Sequence, residues 1–225
     1  MIFHYCESGW RVKMRMETPE IYEKLQRMLT TAGFVPGQKL KPSDLQGEFG
    51  CSANTIRDVL LRLSTVGLVQ FEMQRGFRVA ESSPEKRSDI ARFRTILEQE
   101  GAAASMKHGG VAWEARLSAS HHKLVHIEKQ ISRDDMTDGH MVLWSDAERE
   151  FHETIISACQ SPILISNYQS IYLQFRQQML VGEREFSQGY FEAIIAEHQS
   201  ILDAALSGDV AACKQSIYDH MKRNF

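Results

Sequence analysis

The spacing of hydrophobic positions divides the chain into a short-element part and a long-helix part. Thr18-Pro19-Glu20 reads as a helix start, with Thr18 capping, Pro19 in the first turn and Glu20 favouring the helix dipole. Ile21, Leu25, Met28 and Leu29 then share one face, and Phe34-Val35-Pro36-Gly37 ends the element with a turn. Ser43 is expected to cap a short second helix with Leu45 and Phe49 inward and Gly50 closing it. Ser52 is expected to cap a third helix, whose apolar stripe is Ile56, Val59, Leu60 and Leu63, with Gly67 after it. Leu68–Phe71 and Phe77–Val79 are short strands on either side of the turn Met73-Gln74-Arg75-Gly76, a hairpin. The order is helix, turn, helix, turn, helix, hairpin.

Beyond residue 80 the period is helical throughout. Glu81-Ser82-Ser83-Pro84 has the composition of a linker. Helices are expected at Glu85–Lys107, Val111–Ser132, Met141–Ala158, Ile163–Val181, Gln188–Ser207 and Val210–Lys222. The breaks are Gly109-Gly110, Asp138-Gly139, Ser161-Pro162, Gly182 and Gly208-Asp209. The fold class is therefore mainly α: a small head at 1–80, a linker at 81–84, and an all-α antiparallel bundle of about six helices at 85–225. The first ten residues carry no clear pattern.

Charge changes this picture modestly. From Arg11 to Ala80 there are 11 Lys+Arg against 7 Asp+Glu, and from Glu81 to Phe225 there are 15 against 21. A basic head on an acidic body suits nucleic acid at one end only. The overall net charge of −3 argues against a nonspecific polyanion binder. Cys6, Cys51, Cys159 and Cys213 form no C-x-x-C pair and read as reduced thiols of a cytoplasmic protein. No apolar run has transmembrane length, and Met1–Arg15 lacks the apolar stretch of a signal peptide.

A turn joining two short helices can place the second in the DNA major groove. The third helix here carries Asn54, Thr55, Arg57, Asp58 and Arg62 opposite its apolar stripe. Ser, Thr and Asn suit base edges or phosphates, and Arg suits either. Ser52 at the helix start and Lys41 ahead of the second helix join the list of DNA-contact candidates. Arg75-Gly76 at the hairpin tip suits the narrow, negative minor groove. A polar solvent-facing helix and a charged hairpin tip would look the same.

The head resembles the winged helix-turn-helix of the GntR family of transcription regulators from Tyr22 to Ala80. The resemblance rests on Pro36-Gly37-Gln38-Lys39-Leu40, Phe49-Gly50-Cys51-Ser52, Thr55-Ile56-Arg57-Asp58-Val59-Leu60, Gly67-Leu68-Val69 and Arg75-Gly76-Phe77-Arg78-Val79. It implies that Arg57 grips phosphate, that Arg75-Gly76 form the wing tip, and that a double-stranded operator is the partner. The family usually has Arg where Ala53 stands, and often where Ser43 stands, and those arginines commonly read guanine. A bidentate Arg–guanine contact is worth ~1–3 kcal/mol, so the operator preference should be altered.

In the second half, Glu148 and His152 stand at i and i+4 and project from one helical face. They are either an ordinary ion pair or two ligands of one metal. His198 and His220 lie on consecutive helices, about nine residues before and about twelve after the Ser207-Gly208-Asp209 turn. At about 1.5 Å per residue this brings them to similar heights on antiparallel helices. Such a His/carboxylate set suits Zn, Ni, Fe or Mn. Asp146, six residues before His152, is about 120° off by helical period and fits less well.

This half resembles the FCD effector domain of the FadR subfamily. The matching features are Arg94-Thr95-Ile96-Leu97-Glu98, Phe151-His152, Glu197-His198 with Ile201-Leu202 and Gly208-Asp209, and His220. The resemblance implies a divalent metal held by Glu148 (where Asp is usual), His152, His198 and His220. It further implies a homodimer and a small carboxylic-acid effector completing the coordination. Arg94 would pair the acid's second charge, and Tyr172, Arg176 and Gln178 are further pocket candidates. Arg176 reads more readily as a surface residue.

The leading expectation is thus a DNA-binding regulator controlled by an organic acid at a metal site. Two others are a metal-dependent enzyme using the His/carboxylate centre, for which no separate general base stands out, and a helical interaction module without ligand.

Overall fold

The computed structural model describes residues 16–31, 33–132, 137–179 and 188–225. The unpatterned first ten residues, the Val181 end of the fourth body helix and the break at Gly182 lie outside them.

The head comprises α1 (Thr18–Thr30), β1 (Lys39–Leu40), α2 (Pro42–Phe49), α3 (Ala53–Thr65), β2 (Val69–Glu72) and β3 (Gly76–Val79). Ser52 caps α3 by accepting a hydrogen bond from the Thr55 amide, and Gly50 closes α2 in the left-handed region at φ 63°. Two expected caps move by one or two residues. Glu17, not Thr18, is the N-cap of α1, and its amide donates to the Glu20 carboxylate at 2.9 Å. Lys41, not Ser43, is the N-cap of α2. A residue preceding proline is forced into extended backbone, so the cap position falls on Lys41 and Pro42 enters the first turn. The sheet has a third strand that the pattern does not signal. β1 is two residues long, too short for alternation to register, and pairs antiparallel with β3 in the order β1-β3-β2.

The apolar stripes of α1 and α3 meet Leu45, Phe49, Phe77 and Val79 in one core. Each fully buried aliphatic side chain there contributes about 1.5–3 kcal/mol of transfer free energy.

The body comprises α4 (Pro84–His108), α5 (Gly110–Ile131), α6 (Asp138–Ile156), α7 (Pro162–Met179), α8 (Gln188–Ser207) and α9 (Val210–Met221), with a 3₁₀ turn at Lys222–Asn224. Asp138-Gly139 is the first turn of α6, not a break, because Thr137 caps the helix through the His140 amide. α4 packs against α6, α7 and α9, while α5 packs against α6 and α8. Trp113, Leu117, Phe151, Tyr168, Phe191 and Ile201 belong to the body core. The buried face of α4 also carries Arg94, Thr95, Glu98 and Ser105. A helix that buries charge at its centre must have those charges answered by its neighbours.

α7 also holds the head. Leu173 packs against the head core, Gln177 Nε2 donates to the Leu68 carbonyl at 3.1 Å, and Gln178 Nε2 donates to the Glu81 carbonyl at 3.2 Å. Gly67 sits at φ 78°, and a Cβ there would lie 2.6 Å from the Gln174 side chain. Gly67→Ala is expected to cost about 1–3 kcal/mol in chemical denaturation, from backbone strain plus the clash. Gly67→Ala/Gln174→Ala should recover the clash and retain the strain. Equal losses in the single and double variants would show that this helix does not press on the head.

Candidate metal centre and DNA-reading head

His152 on α6, His198 on α8 and His220 on α9 converge at the middle of the body. One ring nitrogen from each lies within 4.8 Å of those of the other two. Their ring centroids are 4.6 to 5.4 Å apart. His152 and His198 are fully buried and His220 nearly so.

Each histidine has its own glutamate. His152 Nδ1 shares a hydrogen bond with Glu98, His198 Nδ1 lies 3.1 Å from Glu128 Oε1, and His220 Nδ1 lies 2.9 Å from Glu197. A carboxylate only accepts, so each Nδ1 carries the proton and each Nε2 keeps its lone pair. The Nε2 atoms of His152 and His198 are buried with no hydrogen-bond partner among the described residues. Three imidazole lone pairs brought together in this way fit a divalent cation. A carboxylate behind each ligating imidazole orients the ring and raises its basicity. The glutamates are themselves fixed: Tyr168 donates to Glu98 at 3.1 Å, Trp144 Nε1 donates to Glu128 at 3.2 Å, and Arg223 pairs with Glu197.

Glu148 stands beside this group, with Oε1 3.6 Å from His152 Nε2. It is engaged by Arg94 Nη2 at 3.3 Å, by Arg176 Nη1 at 3.6 Å and by the Tyr172 hydroxyl. Arg176 is not a surface residue: it is 5% exposed and stacks over Trp144 at 4.9 Å. Arg94 is fully buried, stacked on Tyr172 and Phe175, and also 3.4 Å from Glu98. The three effector candidates Arg94, Tyr172 and Arg176 therefore meet at one carboxylate. Gln178 instead serves the head–body junction. The cavity at this cluster measures about 20 Å³, room for about one water molecule.

Burial acts against every charge here, and the partners decide the outcome. Burial opposes ionisation of Glu98 and Glu148, but His152 and Arg94 bring Glu98 down to about 2, and Arg94, Arg176 and His152 hold Glu148 lower still. Burial depresses His152 despite Glu98. Burial, His198 and Arg94 depress His220 to about 3. His152 and His220 are thus neutral at neutral pH, the form that binds metal.

Glu98, Glu128 and Glu197 were not among the sequence candidates. Glu98 and Glu197 stood only within the segments that carry the resemblance, and Glu128 in none of them. Glu98 is 54 residues from His152 and Glu128 is 70 from His198, and no spacing rule spans such distances.

In the head, Asn54 and Arg57 are exposed on α3, with Ser52 at its start. The Arg57 guanidinium lies over Phe71 and Phe77 at 5.6 and 5.8 Å, which ties the helix to the hairpin. Arg62 is turned onto the Tyr22 ring at 4.4 Å, and the Ser52 hydroxyl is shared with Thr55. Arg75 pairs with Glu72 at 3.1 Å beside Gly76, whose φ of 80° makes the tight tip. Lys41 is exposed at the head of α2, 3.9 Å from Asp44.

The FCD domain model matches residues 89–223, and the model of bacterial regulatory proteins of the gntR family matches residues 18–79. The chain belongs to the GntR-family transcription regulators with an FCD domain. It is 30% identical over 205 residues to the uncharacterized HTH-type transcriptional regulator BphR of Paraburkholderia xenovorans, covering 89% of this chain and 80% of that one. It is 26% identical over 202 residues to the HTH-type transcriptional repressor GlaR of Escherichia coli, covering 89% and 90%. The solved structure of E. coli McbR/YncC has the same fold, with a TM-score of 0.74 at 21% identity, covering 92% of this chain and 94% of that one. These families and relatives are transcription regulators, not enzymes, and the enzymatic reading has no support among them. The head is a DNA-binding module and the body an effector-binding one. Among the described residues, no helix is long and apolar enough to cross a membrane.

Glu128→Gln is expected to weaken zinc binding about 10–100-fold in a competition titration with a chromophoric chelator. Unchanged affinity would mean that the carboxylate does not orient His198. A second expectation concerns acid. His152 and His220 have folded values below the unfolded value of 6.5. The unfolded chain therefore takes up protons first, and stability falls as pH drops below that value. Glu98, depressed from 4.5 to about 2, extends the loss downward. Metal-stripped protein should lose denaturation free energy steadily from pH 7 to pH 4, and a flat profile would contradict the burial of neutral histidines.

Proposed function

We propose that the protein is a homodimeric, cytoplasmic transcriptional repressor whose operator affinity is set by a small organic acid together with a divalent metal ion. The observation that carries this reading is the convergence of His152, His198 and His220, each backed by a glutamate and two of them leaving a buried Nε2 without a partner. Zn, Ni, Fe or Mn suits three imidazoles, and the metal would supply Lewis acidity toward the acid's oxygens. Glu148 is the fourth protein ligand of the reading, reached by turning from the arginines to the histidines. Arg94 and Arg176 would then be free to pair an incoming carboxylate, as charge-assisted fork contacts favour. The repressor assignment follows the named role of GlaR.

At the DNA, Arg57 and Arg75 hold phosphate or the minor groove. Asn54 and Thr55 read bases, with Lys41, Ser52, Arg62 and Gly76 around them. Two heads in a dimer meet a two-fold operator, and the acid changes their relative placement.

The arms of the test are separate. Arg57→Ala should abolish the operator shift in a gel titration while lowering stability by no more than about 1 kcal/mol, the value of its ring contacts. Retained operator affinity would sink the DNA assignment. A hundredfold excess of zinc over its Kd should stabilise the protein by about 2.7 kcal/mol, and His198→Ala should remove that gain. No metal-dependent shift in the wild-type protein would leave the body without its proposed cofactor.

A further inference from the structure

With Glu148 held on Arg94 and Arg176 the cavity at the histidines has room for about one water molecule, and a second, larger cavity lies close by. It measures about 320 Å³ and is formed between α1 of the head and α6 and α7 of the body. That is the small end of the range for ligand sites, suited to a small metabolite rather than a nucleotide. Arg27, Gln26 and Thr30 form its head wall, and Arg149, Ser145 and Arg176 belong to its body wall.

Its walls carry three arginines, Arg27, Arg149 and Arg176, against two carboxylates, Glu23 and Asp146. Asp146 pairs with Arg149 at 3.7 Å, and Glu23 is exposed on α1. Arg27 is exposed on α1, and Arg176 Nε is buried without a hydrogen-bond partner among the described residues. Tyr172 and Arg176 line this cavity and also hold Glu148 beside the histidines.

We infer that the head–body cavity is a second ligand site, binding the carboxylate of a small organic acid between Arg27 on the head and Arg149 and Arg176 on the body. The acid's remaining polar groups meet Gln26, Thr30 and Ser145. A carboxylate here competes with Glu148 for the Arg176 guanidinium. Drawing Arg176 away leaves Glu148 with fewer cations and frees it to turn toward His152. Acid in the cavity and metal at the histidines therefore strengthen each other by the same factor. The acid also cross-links head to body directly, since its two walls belong to the two parts. The link to metal rests on the metal reading above, whereas the site itself does not.

The test uses full-length protein stripped of metal by chelation and dialysed free of chelator, with malate and succinate as probes. Calorimetric titration should detect binding of at least one of them without metal. Arg27→Ala and Arg149→Ala should each weaken it at least tenfold. Both variants should bind zinc without acid as the wild type does, which shows that they fold and that the centre is intact. In the wild type, the rise in zinc affinity caused by the acid should equal the rise in acid affinity caused by zinc. Neither acid binding the stripped protein, or binding that both variants leave unchanged, would overturn the site. Zinc failing to bind the wild type would remove the metal reading while leaving the calorimetric result on acid to be judged alone.

Discussion

The structure depends on placing buried charges where every one is answered. Arg94, Glu98 and Glu148 lie at the centre of a helical bundle, almost wholly out of water. Moving an isolated ion into such surroundings costs several kcal/mol even after relaxation, so each must find partners on other helices. Arg94 reaches Glu98 and Glu148, Glu98 reaches His152 and Tyr168, and Glu148 reaches Tyr172 and Arg176. α4, α6 and α7 are thereby locked in register by electrostatics as well as by packing. Two histidines of the triad are held by the same logic, with Glu128 and Glu197 standing behind His198 and His220.

That network reaches α7, which packs against α4 and α6 of the body and α1 of the head. One side presents Tyr172 and Arg176 to Glu148, and the same helix carries Leu173, Gln174, Gln177 and Gln178 against the head and the segment after it. A change in what Arg176 binds is therefore one helical element away from the head. Packed interiors resist continuous deformation, so such a change is transmitted as a shift between arrangements rather than absorbed locally.

Much of the head was legible. The stripes of α1 and α3 follow a 3.6-residue period, Gly50 and Ser52 are local stop and start signals, and the hairpin turn carries its glycine. The misplacements are local too: a proline shifted the second cap to Lys41, and a two-residue strand left no alternating signal. In the body the helices were readable to within a few residues at their described ends, and the three histidines were selected by helical phase and by the turn between α8 and α9. Arg176 misread as a surface residue because a lone Arg on a helix is usually solvated, and nothing local reveals a buried carboxylate on another helix.

What the sequence by itself determined is the helices and the hairpin, the family and the positions of the three histidines, because each is encoded within one helix or one turn. Only the tertiary structure decided which glutamates stand behind those histidines and that Glu148 rests on Arg94 and Arg176. It alone opened a cavity between head and body. The reason is physical: cap and stripe preferences act over a few residues, whereas a buried charge takes whichever partner the packing of distant helices brings within reach.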